Sequence, residues 1–365
     1  MPHFHPPPDP KALTRRGRGA ISNQSGRFET LQYRAFDDGW AGLEALSESP
    51  MRTQVSEDRS RTIIARNTSP DIPFDRSINP YRGCEHGCIY CFARPTHAWL
   101  GLSPGLDFET QLQMKKDAVP LLRAELAKPS YKVAPIAMGT NTDPYQPIER
   151  QHKITRSVLE VLAEVKHPVT IVTKSNLILR DMDILSQMAA DGLASVMISV
   201  TSLDRRLSRI MEPRAPTPMR RLDAIAGLAR AGIPVGVLTA PMIPALNDSE
   251  MEAIITQCHE VGARTAGYIL LRLPLEIKDL FEEWLETHFP DRKNRLLNHI
   301  RQARGGQLYD SRFGHRLRGN GPYAELLKAR FKLIERRLGL NENRPDLRRD
   351  LFTRPMRQAD QLQLF

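Results

Sequence analysis

Cys84, Cys88 and Cys91 are the residues whose type and spacing point most directly to chemistry. They are spaced C-x3-C-x2-C in the run from Gly83 to Phe92. Three thiolates on one short loop can ligate three irons of a [4Fe-4S] cluster and leave the fourth iron without a protein ligand. Because an open iron can bind a small molecule, the loop predicts a reactive cluster rather than a purely structural one.

The sequence leaves other uses of these cysteines open. His86 or His97 could complete a zinc site or a closed cluster, although structural zinc ligands usually come in two separated pairs and no second C-x2-C is present. Disulfides are less expected, since the chain has four cysteines in 365 residues and three of them are clustered. The fourth, Cys258, lies on an amphipathic helical pattern and is interpreted as a buried apolar residue.

The spacing of the three cysteines resembles the signature of the radical S-adenosylmethionine (SAM) superfamily. In that superfamily SAM chelates the open iron, and an electron from the cluster cleaves SAM to a 5'-deoxyadenosyl radical. The resemblance implies three requirements: a [4Fe-4S] cluster, SAM, and an electron donor such as flavodoxin or ferredoxin.

Charge and hydropathy narrow the class of protein. The net charge is +10, and residues 291–365 carry 18 Lys and Arg against 8 Asp and Glu, so residues 1–290 balance. Clustered cations attract phosphate backbones, although a solvated helix face explains them almost equally well. The sequence has no run of 18 uncharged apolar residues and no signal-peptide pattern at its start. We therefore expect a soluble, cytoplasmic protein with no membrane contact.

Beyond the cysteines, apolar strand patterns alternate with helical patterns. This alternation predicts a parallel sheet, and residues 75–290 suffice for six β-α units but not for eight. The expected fold is α/β, a partial (βα)6 TIM-type barrel with an N-terminal arm and a basic helical C-terminal extension. The predicted strands are 77–80, 135–139, 169–173, 195–200, 235–238 and 268–271, and the predicted helices are 150–165, 181–191, 218–231 and 249–261. The predicted divisions are 1–62 for a flexible arm, 63–290 for the barrel, 291–357 for the extension and 358–365 for a tail.

Polar residues follow the carboxyl ends of the predicted strands, where the active residues of parallel barrels lie. The ammonium of SAM suits a carboxylate with hydroxyls, its carboxylate suits a lysine, and its ribose suits serine or asparagine. At any single position an ordinary polar loop is an equally good explanation. Together they predict a cofactor site that contains Thr140, Thr142, Asp143, Lys174 and Ser199.

Over nearly its whole length the chain resembles an uncharacterised bacterial radical SAM family related to spore photoproduct lyase. The stretches that carry the resemblance are 17–20, 78–84, 93–97 and 142–147. The resemblance implies that the three cysteines ligate the cluster and that Tyr90 lines the adenine pocket. It also implies SAM contacts by Thr142, Lys174 and Ser199.

One position departs from the lyase pattern. Just upstream of the first of these SAM-contacting residues the lyase has a cysteine that donates a hydrogen atom, and this chain has Thr140 there. Because a threonine hydroxyl is a poor hydrogen-atom donor, the lyase reaction and its substrate do not carry over.

The last five residues, Gln361 to Phe365, form a separate motif. They resemble the Gln-Leu-x-Leu-Phe peptide by which bacterial DNA polymerases and repair proteins bind the sliding clamp. A free end could place Leu364 and Phe365 in an apolar pocket while Gln361 bonds at its rim, with Leu362 also in contact. A helix end packed on the core would use the same apolar residues.

Three functions follow, in order of preference. The first is a radical SAM enzyme that acts on DNA, in repair or modification, and is recruited to the sliding clamp. The second is radical modification of RNA or of a protein, because a basic region serves RNA equally well. The third is a non-catalytic iron-sulfur protein that senses redox state or bridges the clamp to a partner.

Overall fold

The computed structural model describes residues 17–29, 51–344 and 346–356. Their strands form one sheet of seven and one of three. Numbered along the chain, the strands are β1 (Gln54–Glu57), β2 (Ile64–Arg66), β3 (Arg76–Ile78), β4 (Tyr81–Arg82), β5 (Gln111–Met114), β6 (Ile136–Met138), β7 (Val169–Thr173), β8 (Ala194–Ser199), β9 (Val235–Met242) and β10 (Thr265–Leu270).

The larger sheet is the wall of a partial barrel. In it β3, β6, β7, β8, β9 and β10 lie side by side in chain order, each parallel to the next, and β2 runs antiparallel along the outer edge of β3. Neighbours that follow one another along the chain require a crossover helix between them, as in the TIM-type barrel. The predicted α/β partial barrel of six units is confirmed.

Helices cover the outside of this sheet. They are apolar on one face because they pack on continuous apolar strands, as in Ile154–Glu164, where Ile154, Val158, Leu159 and Leu162 are buried. Along the chain the helices are α1 (Asp107–Thr110), α2 (Ala118–Leu126), α3 (Glu149–His152), α4 (Ile154–Glu164), α5 (Met182–Ala190), α6 (Arg205–Met211), α7 (Pro218–Arg230), α8 (Met251–Glu260), α9 (Ile277–His288), α10 (Pro290–Gln302) and α11 (Gly321–Arg337). Within the described residues, 3-10 helices span Arg94–Leu100, Asn176–Asp181 and Asp248–Glu250.

The described parts of the predicted N-terminal arm are packed against the barrel. Ala20 and Ile21 are 1% and 4% exposed, and they share a core with the cysteine loop and with α9 and α10. The strand β1 pairs in parallel with β5. Residues 17–29 and 51–62 therefore contact the rest of the fold through the buried Ala20 and Ile21 and through the pairing of β1 with β5. The four predicted domain divisions themselves stay predictions.

The basic C-terminal region also lies on the barrel. In α11, Leu327, Phe331 and Ile334 are buried, and the Phe331 ring lies 5.0 Å from that of Tyr268 on β10. Cys258, on α8, is 0% exposed within the core, which confirms its interpretation as an apolar residue. None of the described helices combines the length and apolar character needed to cross a membrane.

Candidate functional site

The three cysteines lie on a loop over the carboxyl ends of the barrel strands. Cys84 and Cys88 are 6% and 8% exposed, Cys91 is half-buried, and all three are free thiols. Backbone hydrogen bonds connect the loop to its surroundings: Cys84 N donates to Phe108 O at 2.9 Å, and Ile89 N donates to Met211 O at 3.0 Å, at the end of α6. The second bond ties the loop to the segment that follows β8, so the thiols face the mouth of the barrel.

Arg94 fixes the backbone of the cysteine loop through hydrogen bonds. Its guanidinium is 0% exposed and donates to the carbonyl oxygens of Gly87, at 3.1 Å, and Cys88, at 2.9 Å. It also forms an ion pair with the fully buried carboxylate of Glu109. A planar guanidinium with five donors can fix several carbonyl groups at once, so this pair sets the shape of the loop.

Glu109 also binds the N-terminal segment to the loop. Its carboxylate accepts hydrogen bonds from Gly19 N at 3.0 Å and Ala20 N at 2.8 Å. The backbones approach so closely that a Cβ at Gly19 would lie 1.8 Å from Gly87 O. Residues 17–21 therefore form a strap across the cysteine loop, and the strap requires glycine at position 19.

Asp143 connects the loop to the ends of β6 and β7. Its carboxylate accepts from Lys174 N at 2.8 Å and Thr173 Oγ1 at 2.6 Å, and it lies 3.4 Å from His86 Nδ1. Burial raises the pKa of Asp143, but His86 and these hydrogen bonds outweigh burial and bring the pKa to about 2. The carboxylate is therefore ionised and already engaged by protein groups, which suits positioning of the loop.

A buried cluster of charged and hydroxyl groups lies beside the thiols. Glu212, 1% exposed, forms an ion pair with Arg221 and accepts hydrogen bonds from the Tyr90 hydroxyl and, at 2.7 Å, from Thr201 Oγ1. Lys174 Nζ lies 4.0 Å from Glu212 Oε1. The cluster joins the cysteine loop to the ends of β7 and β8.

Lys174 is the second cation of this cluster. Its Nζ donates to Ser199 Oγ at 3.2 Å and lies 5.7 Å from the centre of the Tyr90 ring. Burial lowers the pKa of Lys174, but Cys88 in its deprotonated form and the Glu212 carboxylate outweigh burial, so the net shift is upward. The amine is therefore a cation held beside the Tyr90 ring of the cysteine loop.

Arg221 and Lys174 keep the Glu212 carboxylate ionised. Burial raises the pKa of Glu212, but Arg221 and Lys174 outweigh burial and lower it to about 2. These two cations are matched by two carboxylates, Glu212 and Asp143, near the cysteines. Burial raises the pKa of Cys88 to about 12, with Lys174 acting in the opposite direction.

The donor set of the loop, the free thiols of Cys84, Cys88 and Cys91, is the one that a multi-iron cluster requires. Among residues 17–29, 51–344 and 346–356, no three His, Cys, Asp or Glu side chains converge on a point where a single metal ion could bind. A mononuclear zinc site requires such convergence, whereas in a cubane each thiolate ligates a different iron. His97, one of the two possible extra ligands, instead makes a 2.9 Å hydrogen bond to Gln111 O.

The predicted cofactor residues separate into two groups. Tyr90 and Lys174 come together around Glu212, and Ser199 accepts a hydrogen bond from Lys174. Thr142 is buried and donates its hydroxyl to Tyr81 O at 2.7 Å, so it braces the backbone before the cysteines. Thr140 is half-buried at the end of β6, and its hydroxyl makes no hydrogen bond to a described residue. Direct SAM contacts by these residues stay predictions.

Sequence reasoning missed the buried ion pairs of the site. Glu212 directly follows α6 and Arg221 lies in the first turn of α7, and a carboxylate among several arginines after β8 was a usable signal. Arg94 and Glu109 gave no signal, because only the folded chain shows that both are buried.

Comparison with known proteins agrees with this geometry. A sequence model of the radical SAM superfamily matches residues 78–258. The chain belongs to the radical SAM superfamily, whose cofactors are a [4Fe-4S] cluster and SAM.

Similar proteins include several uncharacterised ones. A Mycobacterium tuberculosis protein is 37% identical over 226 residues, which are 61% of this chain and 66% of that protein. A Methanocaldococcus jannaschii protein is 30% identical over 214 residues, 59% of this chain and 76% of the other. The match thus spans slightly less than two thirds of the mycobacterial relative.

Solved structures of spore photoproduct lyase share the fold. A point mutant of the lyase superposes with a TM-score of 0.53 at 16% identity, and the lyase complexed with dinucleoside spore photoproduct superposes with 0.52 at 17% identity. Each match covers 78% of both chains. The family is therefore one related in structure to the lyase.

Proposed function

We propose that this protein is a radical SAM enzyme that acts on DNA, in repair or in modification. The observation that carries the enzyme class is the position of Lys174 Nζ, 3.2 Å from Ser199 Oγ, 4.0 Å from Glu212 Oε1 and 5.7 Å from the Tyr90 ring of the cysteine loop. When bound, the cluster and SAM would supply radical chemistry to the substrate, with Cys84, Cys88 and Cys91 as the residues that would hold the cluster.

The residues of the site have distinct roles in this proposal. Cys84, Cys88 and Cys91 hold the cluster. Lys174 pairs with the SAM carboxylate, because it is a cation held at the rim of the thiols. The Tyr90 ring is fixed by the hydrogen bond of its hydroxyl to Glu212 and forms one wall of the adenine pocket.

Charge supports DNA as the substrate. The chain carries a net charge of +10, and a polyanion is the partner that such an excess attracts. The similarity of fold to spore photoproduct lyase, one structure of which contains a dinucleoside photoproduct, adds support. The peptide with Gln361, Leu362, Leu364 and Phe365 lies outside the described residues, and its binding to a sliding clamp remains part of the proposal.

In the proposed chemistry no cysteine of this chain donates a hydrogen atom to the substrate radical. The chain has four cysteines, of which three are on the cluster loop and Cys258 is buried in α8. Thr140 offers only a hydroxyl at the end of β6. The hydrogen atom that quenches a substrate radical therefore comes from a group other than a cysteine of this chain.

Anaerobic SAM cleavage tests the enzyme class. Protein reconstituted with iron and sulfide and reduced with dithionite is expected to release 5'-deoxyadenosine. Cys88→Ala should lose both the cluster and the product, whereas Cys258→Ala, which changes a buried thiol remote from the site, should retain both. Absence of 5'-deoxyadenosine from wild-type protein that contains its full iron complement would contradict the class.

Comparison of substrates tests the DNA assignment. The reduced enzyme is incubated separately with duplex DNA, single-stranded DNA, tRNA and a protein fraction, and each is analysed by mass spectrometry. Calorimetry with a peptide of residues 357–365 and the bacterial clamp measures recruitment, with Phe365→Ala as the control peptide. If neither form of DNA binds at low salt and the peptide has no affinity for the clamp, DNA is not the substrate.

A further inference from the structure

The segment between β8 and α7 has an outer surface that the site does not use. Its inner side supplies Ser199, Thr201 and Glu212 to the buried cluster. Its outer side carries Arg205, Arg206 and Arg209 on the helix α6, all exposed. The same short stretch therefore lines the site on one side and presents three guanidinium groups to solvent on the other.

None of these three arginines has an acidic partner among the described residues. Their neighbour Asp204 uses its carboxylate to cap α6, accepting from Arg206 N at 2.7 Å and Leu207 N at 3.2 Å. The other acid of the segment, Glu212, is buried and paired with Arg221. The positive charge of α6 is thus not neutralised within the described chain.

This helix is attached directly to the cysteine loop. Met211, its last residue, accepts a hydrogen bond from Ile89 N at 3.0 Å, and Arg214 N donates to His86 O at 3.3 Å. Leu207 and Met211 share a core with Cys88 and Ile89. Seven helical residues span about 10 Å, so the arginines lie within one short helix of the thiols.

Several basic side chains of the C-terminal region, unlike those of α6, are paired with acids. There, seven Lys or Arg side chains form salt bridges with acids, at 2.6 to 3.3 Å. Arg316 with Asp71 and Arg330 with Glu252 are examples in which the pair joins two parts of the fold. Seven of the 18 basic side chains of residues 291–365 are therefore paired, and pairs of this kind hold the extension on the barrel.

We propose that Arg205, Arg206 and Arg209 bind the phosphate backbone of the nucleic-acid substrate at the mouth of the barrel, a proposal that rests on the proposed function. Duplex DNA carries one negative charge per about 1.7 Å of its axis, so α6 can face several phosphates at once. Phosphate contacts fix the position of a nucleic acid without reading its sequence. Held there, the reacting nucleotide lies beside the thiols and Lys174.

Salt-dependent binding tests this assignment. Reconstituted wild-type protein is compared with the variant R205A/R206A/R209A and with a control variant, R336A/R337A/R349A. The control removes three exposed C-terminal arginines that form no salt bridge with a described acid. The probes are a labelled mixed-sequence DNA duplex, one of its strands and the matching RNA strand. Binding is followed by fluorescence anisotropy at several KCl concentrations, and iron content and thermal unfolding check that each variant is folded.

The R205A/R206A/R209A variant is expected to bind the probes about tenfold or more weakly than wild type. Its plot of log K against log [salt] should have a slope that is smaller in magnitude by about 2 to 3, because each lost phosphate contact removes about 0.9 from the slope. The control should remain within about twofold of wild type, as expected when no phosphate contact is lost. R205K/R206K/R209K, which keeps the charge, should retain most of the slope.

The outcomes separate the two proposals. If wild-type protein binds none of the three probes, the proposed function fails. If wild type binds but the α6 alanine variant binds equally well, or the control loses more, the assignment to α6 is overturned and the function stands. A lysine variant as weak as the alanine variant would also overturn it, because the contact would not be one of charge. Preference among the three probes identifies DNA or RNA as the source of the phosphates.

Discussion

Glu212 and Arg221 form a buried ion pair directly behind the Tyr90 hydroxyl, which donates a hydrogen bond to the same carboxylate. Arg221 also donates to Ser199 O at 3.1 Å, so the pair connects the cysteine loop to the end of β8. Lys174 then adds a second cation 4.0 Å from the carboxylate. The pair thereby fixes the wall of the site and its charge at the same time.

Removal of one partner of this pair should be costly. Arg221→Ala leaves the Glu212 carboxylate buried without its main counter-ion, and loss of one partner of a buried pair typically costs about 3–5 kcal/mol of unfolding free energy. Arg220 is the matched control, since its side chain is 68% exposed against 1% for Arg221. Arg220→Ala should change stability by less than about 0.5 kcal/mol.

Urea unfolding of the two variants under argon, with matched iron content, measures the difference. If the two variants were equally stable, the buried pair of Arg221 with Glu212 would contribute no more to the unfolding free energy than the exposed Arg220 does.

Lys174→Met should weaken SAM binding and leave the cluster in place. Hydrogen bonds to charged groups contribute about 1.5–3 kcal/mol, which corresponds to about a 10- to 100-fold weaker affinity. Lys174→Arg should retain part of the affinity for SAM, because the positive charge remains. Lys166→Met serves as control, since Lys166 is half exposed and pairs with Asp191 on the surface.

Calorimetric titration with SAM and the KM for SAM in the cleavage assay are the measurements. An unchanged affinity together with a normal iron content would exclude Lys174 from the SAM site.

Gly19→Ala should loosen the strap over the cysteine loop. The new Cβ would lie 1.8 Å from Gly87 O. A backbone oxygen cannot move away from this clash as the end of a flexible side chain could. We expect faster loss of iron on exposure to air. Gly17→Ala is the control: a Cβ there has no atom within 4 Å, so only the strain of a positive φ, 74°, remains.

Iron release after exposure to air, followed by a colorimetric chelator, reports the effect. Similar release rates for the two variants would show that the contact with Gly87 does not protect the cluster loop.

His167 should make the stability dependent on pH. It is 0% exposed, and its Nε2 lies 2.7 Å from the Tyr131 hydroxyl while Nδ1 donates to Pro168 O at 2.9 Å. Burial lowers the pKa of His167 to about 4 from its ordinary value of 6.5. Between these values the unfolded chain binds the proton and the folded chain does not, so stability is full above pH 6.5 and falls as the pH falls towards 4.

The loss should reach about 3 kcal/mol in unfolding free energy by pH 4, since each pKa unit corresponds to about 1.4 kcal/mol. Urea unfolding at a series of pH values measures it. His167→Gln should flatten this part of the profile, and His152→Gln should leave it unchanged. A wild-type profile that is flat between pH 6.5 and 4 would contradict the assignment.

Most of the barrel could be predicted because its signals are local. The run 169–173 is a strand in both prediction and structure, since a short continuous apolar segment is typical of a buried parallel strand. The prediction for 235–238 ended early: β9 continues to Met242, where pairing with Leu270 of β10 extends it. The predicted helix over 150–165 is divided at Lys153, whose φ of 52° no sequence pattern indicated.

The sequence by itself determined the cluster and the fold class. Cysteine spacing is a property of one short segment, and the alternation of strands and helices repeats along the chain, so both can be read without knowledge of distant contacts. Only the tertiary structure decided which charges become buried partners. Tyr90 reaches Glu212 across 122 positions and Gly19 reaches Glu109 across 90. These contacts exist because folding brings together segments that are distant in the chain and removes them from water, and a buried carboxylate must find a partner.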